Sequence, residues 1–447
     1  MIPFFGRIFS LVLAITFSGL IFAGTAISKS SINPASLESD LKTKKNDQNN
    51  IDSFPENLVL LKNQPILVPD APHISAASYI LIDSASGQIL AVKNPHKMMA
   101  PASLTKVMTL YVAFTYLAQG TVKLDDKVSI SKKAWSTGGS KMFLKLGDQV
   151  KLSDLITGIT VDSGNDAAIA LAEYIAGSVP AFVQLMNLEA QLLNMKNTKF
   201  ANCDGLPAEK HYSTAFDLAI VARATIKNFP KLYNFYGQKE FDYNNIKQSN
   251  RNRLLWRYPG ADGLKTGYIP AAGYCLIGSA LVDQMRLIAV VLDAPNNLAR
   301  TDDVIKLFNY GYRFYQTVLF FKKGEIITKI PLKNGKNKSA ELGIIHDLDG
   351  TIYRNHPEAC KLILRVPQSL VAPLQAGKTV GTLILKLGQK EVQKVAVITL
   401  SKEEKAGWLR VFFHAILHSL NSLFHSNTHS PCKEIILPLP DRLFSEK

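Results

Sequence analysis

Pro101-Ala102-Ser103-Leu104-Thr105-Lys106-Val107-Met108-Thr109 opens an apolar segment that keeps helical spacing to about Tyr116. Pro101 suits a helix start, because its missing N–H is not needed there. Ser103 and Lys106 lie three residues apart, so on a helix their side chains share one face, one turn apart. A hydroxyl beside an amine is a candidate nucleophile–base pair. The spacing by itself is weak: Ser-x-x-Lys also begins at Ser39, Ser129 and Ser430, in polar, turn-like or tail surroundings. Taken alone, the commoner meaning is a helix start with a surface lysine. Two later stretches shift that balance.

Val161-Asp162-Ser163-Gly164-Asn165-Asp166 places a hydroxyl and a carboxamide around a glycine. Asp262-Gly263-Leu264-Lys265-Thr266-Gly267 leads into an apolar strand at 273–281. Ser-Gly-Asn and Lys-Thr-Gly each occur once, and their order after Ser103 gives the set its specificity.

The remaining chain frames these motifs. Arg7 is the only charge before the apolar run 8–22, and Gly24-Thr25-Ala26 follows with small residues. This reads as an export signal over 1–26; an uncleaved anchor is the competing reading, although the run is short for a stable span. Residues 27–70 are largely polar and read as a tether, too poor in apolar surface to offset ordering entropy. The four cysteines are scattered, in neither a zinc spacing nor a dense disulfide framework; one disulfide and four free thiols both fit.

From residue 71 to 317 strand and helix patterns are mixed. Strands are expected at 78–83 and 88–93, with the apolar hairpin 273–281 and 285–292 near the other end. Helices are expected at 151–176, 181–193, 214–226 and 302–315. Strands at both ends of the region favour an α+β fold, an antiparallel sheet whose first and last strands meet, flanked by helices. Residues 318–402 alternate with period 2 between turn signals and read as a separate small β-domain.

Residues 403–425 form an amphipathic segment. On a helical wheel Arg410, His414, His418 and Asn421 fall on one arc, and Leu409, Phe412, Phe413, Ile416, Leu417 and Leu420 on the other. Such a helix lies in a membrane interface or packs on the β-domain. His414 and His418 have the spacing of a metal pair but no nearby third ligand, so a polar helix face is the simpler reading. The tail 426–447, with three prolines, has no assigned role. The net charge of +15, from 51 basic and 36 acidic residues, points outside the cell to anionic lipid or wall polymer. No aromatic-studded basic stripe supports nucleic acid.

The three motifs together resemble those of penicillin-interacting serine acyl-enzymes. The closer resemblance is to serine-type D-alanyl-D-alanine carboxypeptidases, the low-molecular-mass penicillin-binding proteins, over roughly residues 76–314. It implies a penicillin-binding/β-lactamase-like transpeptidase fold. It implies Ser103 as nucleophile, Lys106 as general base, Ser163 as proton relay and Asn165 as an orienting amide. It implies that Lys265, Thr266, Gly267, Tyr268 and Arg300 bind substrate, with peptidoglycan stem peptides as substrates and β-lactams as inhibitors. No metal or organic cofactor is called for, and oligomeric state is left open. The resemblance places the protein in the periplasm or on the outer face of the cytoplasmic membrane, with the C-terminal helix on the membrane surface. One departure stands out: Ile269 occupies the position, two residues past Lys-Thr-Gly, where the family commonly has threonine. The alternatives are a class A-like β-lactamase, with 189–194 as its glutamate segment, an endopeptidase on D-alanine cross-links, and a non-catalytic wall-binding protein.

Overall fold

A computed structural model describes residues 68–407 and 432–439. The export-signal region, nearly all of the tether and residues 408–425 of the amphipathic segment lie outside the described residues.

Strands β1 (Ser78–Asp83) and β2 (Ile89–Lys93) open the described chain as an antiparallel pair. Next come helices α1 (Thr105–Ala118), α2 (Leu152–Thr160), α3 (Asn165–Ala176), α4 (Val179–Leu192) and α5 (Ala215–Asn228). Strands β3 (Ala261–Ile269), β4 (Gly273–Val282) and β5 (Met285–Ala294) and helix α6 (Asn297–Phe314) follow. The sheet order is β2-β1-β5-β4-β3, antiparallel throughout. The first strand and the last do lie side by side, with Ile80 opposite Val290 and Leu81 opposite Ala289.

The period-2 geometry of a strand explains how this sheet is covered on both faces. Ile80, Ile82, Ile288 and Val290 join the core built with α1 and α5. Tyr79, Leu81, Leu287 and Ala289 point the other way, into a core completed by Val304, Leu307 and Phe308 of α6. Helix α1 is buried continuously from Thr105 to Phe114. A helix apolar all round belongs inside a core, and here it carries Lys106 in with it.

The structure corrects one expectation. Residues 151–176 are not one helix: the chain breaks at 161–164, where Ser163 takes φ +60°. The apolar periodicity continues across the break, so spacing alone conceals it. Lys-Thr-Gly leads into β4 from a strand of its own: it lies within β3, paired with β4 through Thr266↔Leu276.

Beyond α6 the chain enters β6 (Tyr315–Phe321) without a break; its partner is β9 (Leu348–Tyr353). Strands β7 (Thr328–Lys333), β8 (Ser339–Gly343), β10 (Cys360–Pro367), β11 (Leu370–Val371), β12 (Thr379–Leu387), β13 (Lys390–Thr399) and β14 (Cys432–Leu437) form a second sheet. Its order is β11-β7-β8-β13-β12-β10-β14. Leu362, Leu364 and Val366 alternate inward to one apolar core. The tail therefore has a structural place: Cys432–Leu437 pairs antiparallel with β10, Leu437 opposite Leu362 and Cys432 opposite Pro367. Cys203, Cys275, Cys360 and Cys432 are all free thiols, and only Cys432 is exposed. The two regions meet at the buried Asp83 carboxylate, which accepts hydrogen bonds from Thr317 and, at 2.8 Å, Thr351.

Candidate active site

Ser103 sits in a single 3-10 turn, Ala102–Leu104, at the head of α1. Three supports hold that turn. Thr105 Oγ1 donates to Ala102 O at 2.7 Å. His211 Nδ1 accepts the Ala201 N–H at 2.9 Å, which leaves the ring proton on Nε2 for Thr105 Oγ1, 2.8 Å away. Burial pushes the His211 pKa down to about 4, so the ring is neutral. Gly205, at φ +85°, packs against the turn; a Cβ there would lie 2.0 Å from Ala102 O, so no other residue fits.

Lys106 is fully buried, one turn along from Ser103. Its Nζ donates to Ser103 Oγ at 3.0 Å and to Asn165 Oδ1 at 2.7 Å, and also to the Asp204 carbonyl. One turn further on, Thr109 Oγ1 donates to Cys203 O at 2.7 Å, fastening α1 to the same loop. Burial lowers the Lys106 pKa to about 8, and the negative charge of Asp204 opposes that drop. An amine in this range reaches its neutral, proton-accepting form near neutral pH.

Ser163 lies in the break between α2 and α3, Asn165 opens α3, and both are buried. The left-handed backbone at Ser163 stores local strain of the kind that collects at functional sites. Asn165 is held from three sides: Oδ1 by Lys106, Nδ2 by donating to Gly138 O at 2.7 Å, and its N–H by Ser140 O at 2.7 Å. The Asp166 carboxylate accepts the N–H groups of Met142 at 3.0 Å and Leu144 at 3.2 Å, locking the facing loop.

The third motif arrives on the edge strand β3. Gly267 lets that strand approach the serine turn; a Cβ there would stand 3.2 Å from both Pro101 O and the Ala102 Cβ. Lys265 is buried, and its Nζ donates to Thr266 O at 3.3 Å. Burial, with Lys106, Arg251 and Arg300 adding repulsion, holds its pKa well below the usual lysine range. Thr266 is buried, whereas Tyr268 is half exposed and packs on Tyr274 at 4.4 Å between ring centroids. Arg300, in the first turn of α6, donates from one terminal nitrogen to Gly267 O at 3.0 Å and Cys275 O at 3.3 Å. Its guanidinium stands over the Tyr274 ring, and burial lowers its pKa to about 10. Arg300 thus braces Lys-Thr-Gly. Glu189, the candidate deacylating glutamate of the β-lactamase reading, falls within α4.

The three motifs, far apart in sequence, meet around Ser103. Asp204, Gly205 and the bonding role of His211 escape a reading of the sequence. Asp204 acts through a backbone carbonyl, for which no side-chain motif exists.

Comparison with known proteins agrees with this geometry. A family model described as D-alanyl-D-alanine carboxypeptidase matches residues 66–296, and one described as penicillin-binding protein 5, C-terminal domain, matches 315–405. The chain is 40% identical over 371 residues to D-alanyl-D-alanine carboxypeptidase DacA of Escherichia coli (strain K12), covering 81% of this chain and 91% of that protein. It is 39% identical over 366 residues to DacC of the same strain, with 80% and 91% covered. The crystal structure of penicillin binding protein 5 from Haemophilus influenzae superposes with a TM-score of 0.73 at 38% identity, covering 75% of this chain and all of that one. This chain belongs to the D-alanyl-D-alanine carboxypeptidase family of serine penicillin-binding proteins.

Proposed function

We propose that the protein removes the terminal D-alanine from peptidoglycan pentapeptides through a Ser103 acyl-enzyme, and that β-lactams acylate the same serine. The observation that carries this reading is the buried Lys106 amine, bonded at once to Ser103 Oγ and Asn165 Oδ1.

Each residue has a role in that chemistry. Neutral Lys106 takes the Ser103 proton as Oγ attacks the carbonyl carbon between the two D-alanines. The N–H groups of Ser103 and Tyr268 receive the developing oxyanion. As the tetrahedral intermediate collapses, the C–N bond breaks and Ser163 passes a proton to the departing amine. Water then cleaves the ester and returns Ser103 to its hydroxyl form. Asn165 orients Lys106 and the substrate amide. Lys265 and Thr266 hold the terminal carboxylate. Gly267 keeps their strand close to the serine, and Arg300 steadies it from behind while adding positive charge. Ile269 offers no hydroxyl where the family commonly has threonine.

The protein works outside the cytoplasmic membrane. Support comes from the apolar run 8–22 behind Arg7, the net charge of +15, and the two-faced segment 403–425. Residues 71–317 act as the catalytic domain and 318–402 as a spacer that holds it away from the bilayer. Among the described residues, no single helix is long and apolar enough to cross a membrane.

The test is D-alanine release from a pentapeptide ending in D-Ala-D-Ala by the full chain and by Ser103→Ala. Release that vanishes in the variant is the expected result. A parent that acylates with labelled penicillin yet releases no D-alanine would overturn the substrate assignment and favour cross-linked peptides.

A further inference from the structure

The second sheet gathers like charge at one end. Its neighbouring strands run antiparallel, apart from the short β11 beside β7. The last residues of β7, β10 and β13 therefore share an end with the first residues of β8, β12 and β14. Lysines crowd that end: Lys333, Lys336, Lys338, Lys378, Lys402 and Lys405 are all exposed. Of the acids beside them, Glu403 is buried and bonded to Ser401 and Asn337. Glu434 pairs with Arg365 at 2.6 Å, and Glu404 with Lys336 at 2.5 Å. A surplus of positive charge remains. Val371, opposite Lys333 on β7, is 54% exposed among these amines.

Backbone hydrogen bonds hold this end together. The Lys336 N–H donates to Glu404 O at 3.0 Å, and the N–H groups of Ala406, Ala372 and Leu374 donate to Asn334, Lys333 and Glu403 carbonyls at 2.9 Å each. The catalytic region joins the sheet at its other end. Arg354 donates to the Phe314 and Tyr312 carbonyls, both at 3.0 Å, and the chain then enters β10 at Cys360. Strand β10 carries it roughly 23 Å to Pro367, at the lysine end. The described chain leaves that same end at Gly407 and returns to it at Cys432, opposite Pro367. The apolar arc of the amphipathic segment, Leu409 to Leu420, lies in sequence between those two points.

We propose that this end of the β-domain docks on an anionic lipid surface, its lysines against headgroup phosphates and Val371 at the apolar boundary. The inference deepens the interfacial reading of residues 403–425: a bilayer reached by that segment meets the lysine end as well. Ammonium groups are hydrated point charges that attract phosphate without a shaped pocket, which suits an open collar of lysines. Each one near an anionic leaflet adds about fivefold to binding, and salt screens the gain. An anionic wall polymer would attract the same lysines but offers Val371 no apolar phase to enter, so the exposed valine favours lipid.

The experiment uses protein extracted from the cell envelope, with vesicles of phosphatidylcholine alone or carrying about one third phosphatidylglycerol. Lysines are acetylated by a water-soluble reagent and read by mass spectrometry. Lys333, Lys338 and Lys405 should react at least about fivefold more slowly on the anionic vesicles than on the neutral ones. Lys322 and Lys323 serve as controls at the opposite end, where the Gly324 N–H meets Ile344 O, and should keep their rates. Equal reactivity of the first three on both vesicles would overturn the proposal. A variant carrying Lys333→Gln, Lys338→Gln and Lys405→Gln should bind anionic vesicles about a hundredfold more weakly in flotation at low salt. Its binding to neutral vesicles and its penicillin acylation should be unchanged. Undiminished binding to anionic vesicles would sink the idea. Protection of these lysines by isolated peptidoglycan, and by neither vesicle, would give the face to wall polymer and refute the lipid assignment. Failure of the interfacial reading of 403–425 shows separately, as a Phe412→Ser, Ile416→Ser protein that floats with neutral vesicles as wild type does.

Discussion

The two sheets of this molecule treat buried charge in opposite ways. In the C-terminal sheet the buried acid, Glu403, is answered at both oxygens, by Ser401 Oγ at 2.8 Å and Asn337 Nδ2 at 2.9 Å. At its surface, charges form pairs such as Lys329–Glu341 and Arg365–Glu434. Around the first sheet, Lys106, Asp162, Lys265 and Arg300 are all buried, and Asp162 and Arg300 Nε lack partners among the described residues. Both regions solve the same packing problem, an apolar core behind alternating strands. Only one also sustains unsatisfied charge, which costs stability and shifts proton affinities. The difference separates a scaffold from a reacting centre.

The sharpest way to break the comparison is to remove the base. Lys106→Met should cut penicillin acylation by at least about a thousandfold, within or above the usual contribution of general-base catalysis. A stopped-flow acylation assay reads this directly, and a loss under tenfold would mean another group takes the Ser103 proton. Next comes Gly205→Ala, which forces a Cβ into Ala102 O at a left-handed position. A loss of about 3 kcal/mol of stability, together with slower acylation, is expected. Urea denaturation measures the first effect and labelled penicillin the second.

A gentler change sharpens the electrostatic side. Acylation needs neutral Lys106, so its rate should climb as pH rises through about 8 and fall away in acid. Asp204 favours the protonated amine. Asp204→Asn should therefore move the climb to lower pH and raise the rate at pH 7 a few-fold. A climb displaced to higher pH would reverse the assigned sign. The smallest effect belongs to the scaffold: Arg365→Ala breaks a half-exposed pair with Glu434 and should cost at most about 1 kcal/mol, with no change in acylation. A change in acylation there would show that the two sheets are not energetically separate.

The sequence exposed the chemistry better than its supports. Ser103, Lys106, Asn165 and Lys265 were legible because their chemistry resides in side chains at motif spacing. The fold class was legible from alternating strands at both ends of the catalytic region. The break at 161–164 was not, because helical periodicity measures which residues are apolar rather than whether the backbone is continuous. Strand β3 was hidden by composition: Asp262, Gly263 and Gly267 are residue types depleted in strands. Gly267 is there for close approach to the serine turn. The Asp204 carbonyl and the His211 hydrogen bond to Thr105 depend on loop geometry that only the fold supplies.

The return of residues 432–437 to the second sheet bears on how the protein behaves in solution. Strand β14 covers the outer rim of β10, whose Cys360-Lys361-Leu362-Ile363-Leu364-Arg365-Val366 sequence has high strand propensity. The covering strand carries Lys433 and Glu434 and is followed by Pro438 and Pro440, features that discourage further pairing. A chain cut before residue 432 trades this guarded rim for an open row of backbone donors and acceptors. It should then self-associate edge to edge, and would be mistaken for a membrane-seeking protein by any assay that only counts what sediments.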